Sequence, residues 1–479
     1  MTNLFRWLPA IEAILENEKI AEINACDHKQ KTQVARETVD FWRQQIKENP
    51  EKIAELYKNE DQLQKAIIES IAEKLSQHKV DNHLQKVVNG TGIALHTNLG
   101  RAPLAKKAIS AVNDVISAYC NLELDLATGE RAQNRYANVQ DLICEITGAE
   151  DCMVVNNNAA AILLALNTFG AGKQGVISRG QLVEIGGSFR VPEIMEKSGV
   201  KLYEIGTTNK TRISDYESAI LNIRQNQEDT ENSGILLVVH PSNFHMTGFV
   251  ETPDLGEIAQ LGEKYGFTTI YDWGCGALYP LADLGVGKES TIQNLLRSQV
   301  DVITMSGDKL MGGPQCGIIL GTKEKVQAMY QNPLTRALRP DKMILAALEG
   351  TLQYYKNPDE ALKNIPILRE LTEDEVTLAK RASELAEKLQ AMHPNHQISV
   401  CKTQSPVGGG SLPDVSLTTY AVQIRNVGNL NNFSQTMRLA ETPVIGYIQN
   451  DAFNIDVRTL QPQDDVAIIK AYQSFLNNK

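Results

Sequence analysis

The stretch DVITMSGDKLMGGPQCGIILG, Asp301–Gly321, holds two apolar runs on either side of a lysine and a pair of glycines. Runs this short and this rich in branched aliphatic residues read as strands buried on both faces. Lys309 then falls where one interior strand ends and the chain turns toward the next. An ammonium group is costly in such a place unless it has a chemical task. Upstream the same texture repeats. Strands are expected at Met153–Val155, Val176–Ser178, Lys201–Ile205, Ile235–His240, Thr268–Asp272, Val300–Met305 and Gly317–Leu320. Helical stretches such as Ala159–Phe169, Val191–Ser198 and Leu255–Tyr265 lie between them. Alternation of this kind predicts an α/β fold with a mainly parallel central sheet and helices on both faces.

Outside this core the pattern differs. Residues 1–85 show helical spacing only, with Leu8, Ile11, Ile14 and Leu15, then Val39, Trp42 and Ile46, then Leu63, Ile67, Ile71 and Leu75. They form an expected N-terminal helical domain, slightly acidic, with twelve Lys and Arg against fifteen Asp and Glu. Residues 86–365 form the catalytic core, and 366–479 a small C-terminal α+β domain entered through the helix LTEDEVTLAKRASELAEKLQAM. A chain of 479 residues is long enough for two or three such domains. The N-terminus carries acidic residues where a signal peptide would have its apolar stretch, and no run is long enough for a membrane helix. Seven scattered cysteines without a C-x-x-C pair suit reduced thiols in a cytoplasm and neither a disulfide framework nor a zinc site. A formal charge of −11 gives no sign of bulk nucleic-acid binding.

In an open parallel sheet, ligands bind at the carboxyl ends of the strands. Four expected strand ends carry polar groups: Asn156–Asn158, then His240, Ser242 and Asn243, then Asp272, then Ser306, Asp308 and Lys309. Asp272 and Lys309 are 37 residues apart with a helix-length segment between them, which suits neighbouring strands facing one crevice. A pyridoxal phosphate (PLP) site needs an amine to condense with the aldehyde and a carboxylate to keep the pyridine nitrogen protonated. Asn157 and Asn158 open a helix whose N-terminus suits a phosphate, and Ser306 adds a hydroxyl. Burial would favour the neutral, nucleophilic form of Lys309. Taken singly, Asp272 could be a cap and the asparagines turn formers. The segment GVGKES, 285–290, is no P-loop, since Glu289 follows the lysine where Ser or Thr is needed.

Longer motifs narrow the reading. NGTGIALHTNLGRAPL, VVNNNAAAILLALNT, SRGQLVEIGGSFRVPEIM, EIGTTNKT, SGDKLMGGPQCGIILG and NPLTRALRPDKM resemble the bacterial L-seryl-tRNA(Sec) selenium transferases, the selenocysteine synthases. The similarity runs from LPAIEAIL to PVIGYIQNDAFNIDVRTL, nearly the whole chain. The resemblance implies a fold-type I PLP enzyme that eliminates the hydroxyl of serine esterified to tRNA(Sec) and adds selenium from selenophosphate. It implies Lys309 as the cofactor-bearing lysine and base, Asp308 as its helper, and Asp272, Asn157, Asn158, Ser306, His240 and Asn243 around the cofactor. Arg101, Arg135, Arg336 and Arg339 match its anion-binding arginines, whose planar forks suit selenophosphate. It further implies tRNA recognition by the helical domain, with Lys19, Lys29, Lys31, Arg36 and Arg43 as possible contributors, and a homodecamer built as a pentamer of dimers.

Some positions depart from the family pattern. Trp273 and Cys275 stand in DWGCG where D-L-G-S-G is common, Pro241 in HPSNF, Gln181 for a glutamate, and Tyr447 for an arginine. They bear on substrate tuning and leave the lysine and its aspartate intact. Two rivals share those residues. One is a PLP-dependent lyase acting on a small amino-sugar or amino-acid phosphate, which would not need residues 1–80. The other is a non-catalytic RNA-binding or assembly protein on a retired enzyme fold, against which the intact Lys309–Asp272 pair speaks.

Overall fold

A computed structural model describes residues 4–23, 28–77, 83–132, 134–187, 189–225 and 234–477. It divides into two compact units, 1–86 and 87–479. In the smaller unit, helices α1 (His28–Glu48) and α2 (Glu60–Gln77) pack with shorter helical turns. Leu63, Ile67, Ile71 and Leu75 recur every turn of α2 and are wholly buried against Ile14, Ile20 and Val39. Each such side chain contributes roughly 1.5–3 kcal/mol by leaving water.

The larger unit is built on a seven-stranded sheet. Its strands are β1 (Asp151–Val155), β2 (Gln174–Ser178), β3 (Lys201–Ile205), β4 (Gly234–Val239), β5 (Thr268–Asp272), β6 (Val302–Ser306) and β7 (Gly317–Gly321). Their order is β1-β7-β6-β5-β4-β2-β3. Every pairing among β6, β5, β4, β2 and β3 is parallel. β7 alone runs the other way, antiparallel to both β1 and β6. The expected strands and helices of the core form with ends shifted by a residue or two, while the helix expected from Leu371 starts at Glu375, capped by Asp374. Strands β1, β4, β5, β6 and β7 are buried along their whole length, as their unbroken apolar runs require.

Helix α3 (Asn158–Gly170) follows β1 and is apolar nearly all round, because it lies inside the unit rather than on it. Asn157 caps it, accepting from the Ala160 N–H at 2.8 Å. Gly317 opens β7 beside this cap, and its Cβ, if it had one, would overlap the Asn157 backbone and meet Val155 Cγ2 at 2.9 Å.

The C-terminal part of this unit has a core of its own. An antiparallel sheet of β8 (Gln397–Pro406), β9 (Ser416–Arg425), β10 (Tyr447–Gln449) and β11 (Ala452–Asp456), ordered β8-β9-β11-β10, carries it. Helices α4 (Glu375–Met392) and α5 (Asp464–Asn477) contribute Leu378, Leu385, Leu389 and Tyr472, packed with Phe433 and Phe453. Val88–Asn89 pairs in parallel with Val444–Ile445, so the start of the larger unit is built into its end. Gly92 N–H donates to Thr459 Oγ1 (3.2 Å), whose hydroxyl donates to Asn89 O (2.7 Å). Among the described residues no helix is long and apolar enough to cross a membrane, and the six described cysteines are unpaired. Cys26 lies outside the described residues.

Candidate active site

The strand order makes β5 and β6 neighbours, so Asp272 and the Ser306–Lys309 turn emerge side by side. β1 delivers Asn157 and Asn158 to the same edge, and β4 delivers His240 and Ser242. These residues line one cavity of about 450 Å³ together with Arg101 and Asp308.

Asp272 is 4% exposed. Its Oδ1 accepts from Asn158 Nδ2 (2.8 Å) and Thr304 Oγ1 (3.2 Å), while no donor among the described residues reaches Oδ2. Burial raises its pKa, opposed by Asn158, the charge of Lys309 and Thr304. A protonated ring nitrogen is the partner that Oδ2 lacks. Lys309 is 6% exposed, and no hydrogen bond or ion pair among the described residues engages its Nζ. Burial above all, with Arg101 assisting, lowers its pKa against the pull of Cys275, Asp272 and Asp308. Gly274 makes the room between these groups. A Cβ there would lie 3.2 Å from Lys309 Nζ, 3.6 Å from Asn158 Nδ2 and 4.0 Å from Ser306 Oγ. A buried amine whose pKa burial lowers, a carboxylate with one oxygen that no described donor reaches, and the space kept by Gly274 fit pyridoxal phosphate.

His240 lines this cavity, and its buried Nδ1 has no partner among the described residues. Its Nε2 faces Glu289 Oε1 at 3.5 Å, and the Trp273 indole donates to that same oxygen at 2.8 Å. Burial lowers the His240 pKa, outweighing Glu289 and Asp272. Glu289 thus lies beside the imidazole, a placement that its setting in GVGKES gave no hint of. Trp273 is fully buried and acts through Glu289. Gly274, Gln315, Gly409 and Gly410 also line the cavity. The glycines have no side chain by which sequence reasoning could have found them.

The remaining expected residues divide between the cavity and other places. Arg101 lines it and binds Asp308, Nη1 to Oδ2 at 2.7 Å. Its φ of 61° is unusual for a non-glycine residue and marks a backbone held in place. Asn158 serves the Asp272 carboxylate rather than the helix N-terminus. Asn243 is not among the lining residues; its amide donates to Glu184 O (2.9 Å) and Ile185 O (3.1 Å) and fixes that loop. Arg135, Arg336 and Arg339 gather around a second cavity of about 340 Å³. There Glu123 accepts from Arg135 Nε (3.1 Å) and Arg131 Nη2 (2.9 Å), with Arg339 Nη1 at 3.6 Å. Arg135 chiefly holds the Glu123 carboxyl below its usual range. The Arg336 guanidinium has no hydrogen bond or ion pair among the described residues. It lies on the short helix Leu334–Leu338, and Arg339 follows in extended backbone just past its end.

Comparison with known proteins decides the family. A family model described as L-seryl-tRNA selenium transferase matches residues 87–461. The chain belongs to the L-seryl-tRNA selenium transferase family. It is 42% identical over 470 residues to the L-seryl-tRNA(Sec) selenium transferase of Carboxydothermus hydrogenoformans, covering 97% of this chain and 96% of that one. It is 40% identical over 481 residues to that of Aquifex aeolicus, with both chains covered completely. Among solved structures, D-glucosaminate-6-phosphate ammonia-lyase superposes with a TM-score of 0.53 at 18% identity, covering 83% of this chain and 97% of that one. That likeness concerns the fold, the mainly parallel α/β sheet expected from the strand pattern and the fold-type I arrangement that the family resemblance implies.

Proposed function

We propose that this chain converts seryl-tRNA(Sec) to selenocysteinyl-tRNA(Sec) with pyridoxal phosphate as cofactor, eliminating the serine hydroxyl and adding selenium from selenophosphate. The observation that carries the reading is the Lys309–Asp272 pair across the space kept by Gly274, in a chain with these relatives. When bound, the cofactor supplies an aldehyde and an electron-withdrawing ring. Asp272 Oδ2 holds the proton on the ring nitrogen, and Asn158 and Thr304 fix that carboxylate in place. Lys309 would hold the cofactor, and its Nζ, whose pKa burial lowers, would take the Cα proton of the seryl group. Asp308 and Arg101 form the wall beside that nitrogen. Ser306 and the capped start of α3 are assigned to the cofactor phosphate.

Arg135, Arg336 and Arg339 are assigned to selenophosphate, and Arg336 is the one of the three with no partner among the described residues. The helical unit is assigned to the tRNA. Of its candidate cations, Lys19 and Arg43 pair with Glu69 and Asp40, and Lys31 donates to Ala21 O. Lys29 and Arg36 have no such partner among the described residues and lie two turns apart on α1. The assembly is taken to be a homo-oligomer, decameric as the family resemblance implies, and the compartment the cytoplasm.

The test is incubation with seryl-tRNA(Sec), with and without selenophosphate. Product should require both selenophosphate and Lys309, and Lys309→Ala should be inactive. Product from the variant would sink the reading. Turnover of a small amino-sugar phosphate, with none of seryl-tRNA(Sec), would establish the lyase alternative instead.

A further inference from the structure

Four residues of the lysine cavity, Ile185, Gly186, Gly187 and Phe189, come from or adjoin a short antiparallel ribbon that pairs Glu184–Gly186 with Phe189–Arg190. Its ladder is small: Glu184 faces Arg190, Gly186 faces Phe189, and the register breaks between them. The Val191 N–H closes the base on Val183 O at 3.0 Å. An isolated two-stranded ribbon is at best marginally stable in water, so this one needs ties from outside its own ladder. Arg190 pairs with Glu184 (2.8 Å) and Glu193 (3.3 Å), but these side chains are exposed. Ion pairs of that kind contribute little.

Asn243 supplies such a tie. Its Nδ2 donates to Glu184 O (2.9 Å) and to Ile185 O (3.1 Å), the two carbonyls at the break in register. An amide nitrogen carries two protons, so both bonds form together. Gly410 lies against the same segment: a Cβ on it would be 3.6 Å from Asn243 Cβ and 3.8 Å from Ser242 Oγ, ordinary contact distances. Asn243 thus links the exit of β4, the ribbon and the C-terminal part of the chain. It does not line the cavity itself, whereas Ile185 and Phe189 do, and both are packed against the main core. A phenyl group in that wall suits a flat cofactor ring. All of these contacts lie within one chain, so they hold in any assembly.

We propose that Asn243 is a positioning residue for the cofactor, acting through the ribbon: it holds Ile185 and Phe189 in the wall of the lysine cavity and does not touch the cofactor. The proposal rests on pyridoxal phosphate as the occupant of that cavity. An aspartate could not take the place of Asn243, because its carboxylate would face two carbonyl oxygens with no proton to give.

The experiment uses the full-length, PLP-loaded protein and two readouts, hydrogen exchange of residues 183–191 and the rate at which bound cofactor dissociates. Asn243→Ala keeps the Cβ beside Gly410 and deletes the amide; the residue is exposed, so the fold survives the change. Exchange should quicken about tenfold, the effect of losing hydrogen bonds of ordinary strength. Cofactor should leave about threefold to tenfold faster. Asn243→Gln keeps the donor and should lie closer to wild type in both. In a Phe189→Ala background, Asn243→Ala should speed cofactor loss little further, because the wall it holds has already lost its phenyl group. Unchanged exchange, or unchanged dissociation, in Asn243→Ala overturns the proposal. So do effects that multiply in the double variant, since Asn243 would then act on the cofactor by another route. Wild-type protein that takes up no pyridoxal phosphate refutes the cofactor reading, and the proposal with it; the other two outcomes leave that reading intact.

Discussion

Gly274 is the residue on which the site depends without contributing a functional group. Its missing side chain leaves the space that Lys309 Nζ, Asn158 Nδ2 and Ser306 Oγ border. Gly274→Ala should therefore weaken cofactor binding by roughly 1–3 kcal/mol, the usual cost of overpacking. Titration of the apoprotein with pyridoxal phosphate, followed by absorbance, measures it; affinity equal to wild type would refute the cradle. Asp272→Asn removes the anion that holds the ring-nitrogen proton and should slow turnover by at least about a hundredfold, the range of positioned acid–base groups. A pre-steady-state rate within threefold of wild type would contradict that. Lys309 and Asp272 were legible in the sequence because charged residues at the ends of apolar runs have few ordinary explanations. Glu289 was not, because a surface loop full of glycine and charge looks the same whether or not its acid turns inward to His240.

At the scale of the element, the reversed strand β7 closes the sheet over the lysine turn. It is held between β1 and β6, and Gly317 at its start lets the Asn157 backbone approach. Gly317→Ala should push the cap of α3 away from the strand edge and lower stability by roughly 1–3 kcal/mol. Thermal denaturation of wild type and variant tests this, and an unchanged midpoint would show that the cap can yield. The strands were readable because burial on both faces forces unbroken apolar runs. The direction of β7 was not, since an apolar run has no polarity of its own. The arginines illustrate a similar limit. Arg336 and Arg339 are three apart and would share a face in a continuous helix, but the helix ends at Leu338, and they meet at the second cavity by a different geometry.

At the scale of the molecule, the proposed function gives the helical unit and the larger unit separable tasks. Deleting residues 1–86 should abolish turnover of seryl-tRNA(Sec) while leaving the cofactor bound to the remainder. Retained turnover would remove the helical unit from tRNA recognition. Within the larger unit, Glu370 is 2% exposed, and its carboxyl accepts from Gln461 Nε2 (2.8 Å). Burial pushes its pKa up to about 8, with Arg369, Gln461, Arg381 and Arg458 opposing. In the unfolded chain a glutamate ionises near pH 4.3. Folded protein therefore keeps a proton that unfolded protein releases between about pH 4.3 and 8, so stability falls as pH rises through that window. Glu370→Gln should flatten this dependence, with its gain over wild type widening from pH 5 and levelling above pH 8. Denaturant midpoints at several pH values would show it, and parallel curves would refute it.

The pairing of Val88–Asn89 with Val444–Ile445 has a consequence for how the protein is made. During synthesis on the ribosome, residues 88–92 emerge long before the strand that receives them. Thr97 and Arg101, which follow directly and wall the lysine cavity, cannot settle until nearly the whole chain has left the exit tunnel. Contacts between such distant segments form slowly. The strands that carry Lys309 and Asp272 can pair earlier, but the vessel around them closes last. A closed cofactor cavity therefore waits on the emergence of Val444–Ile445.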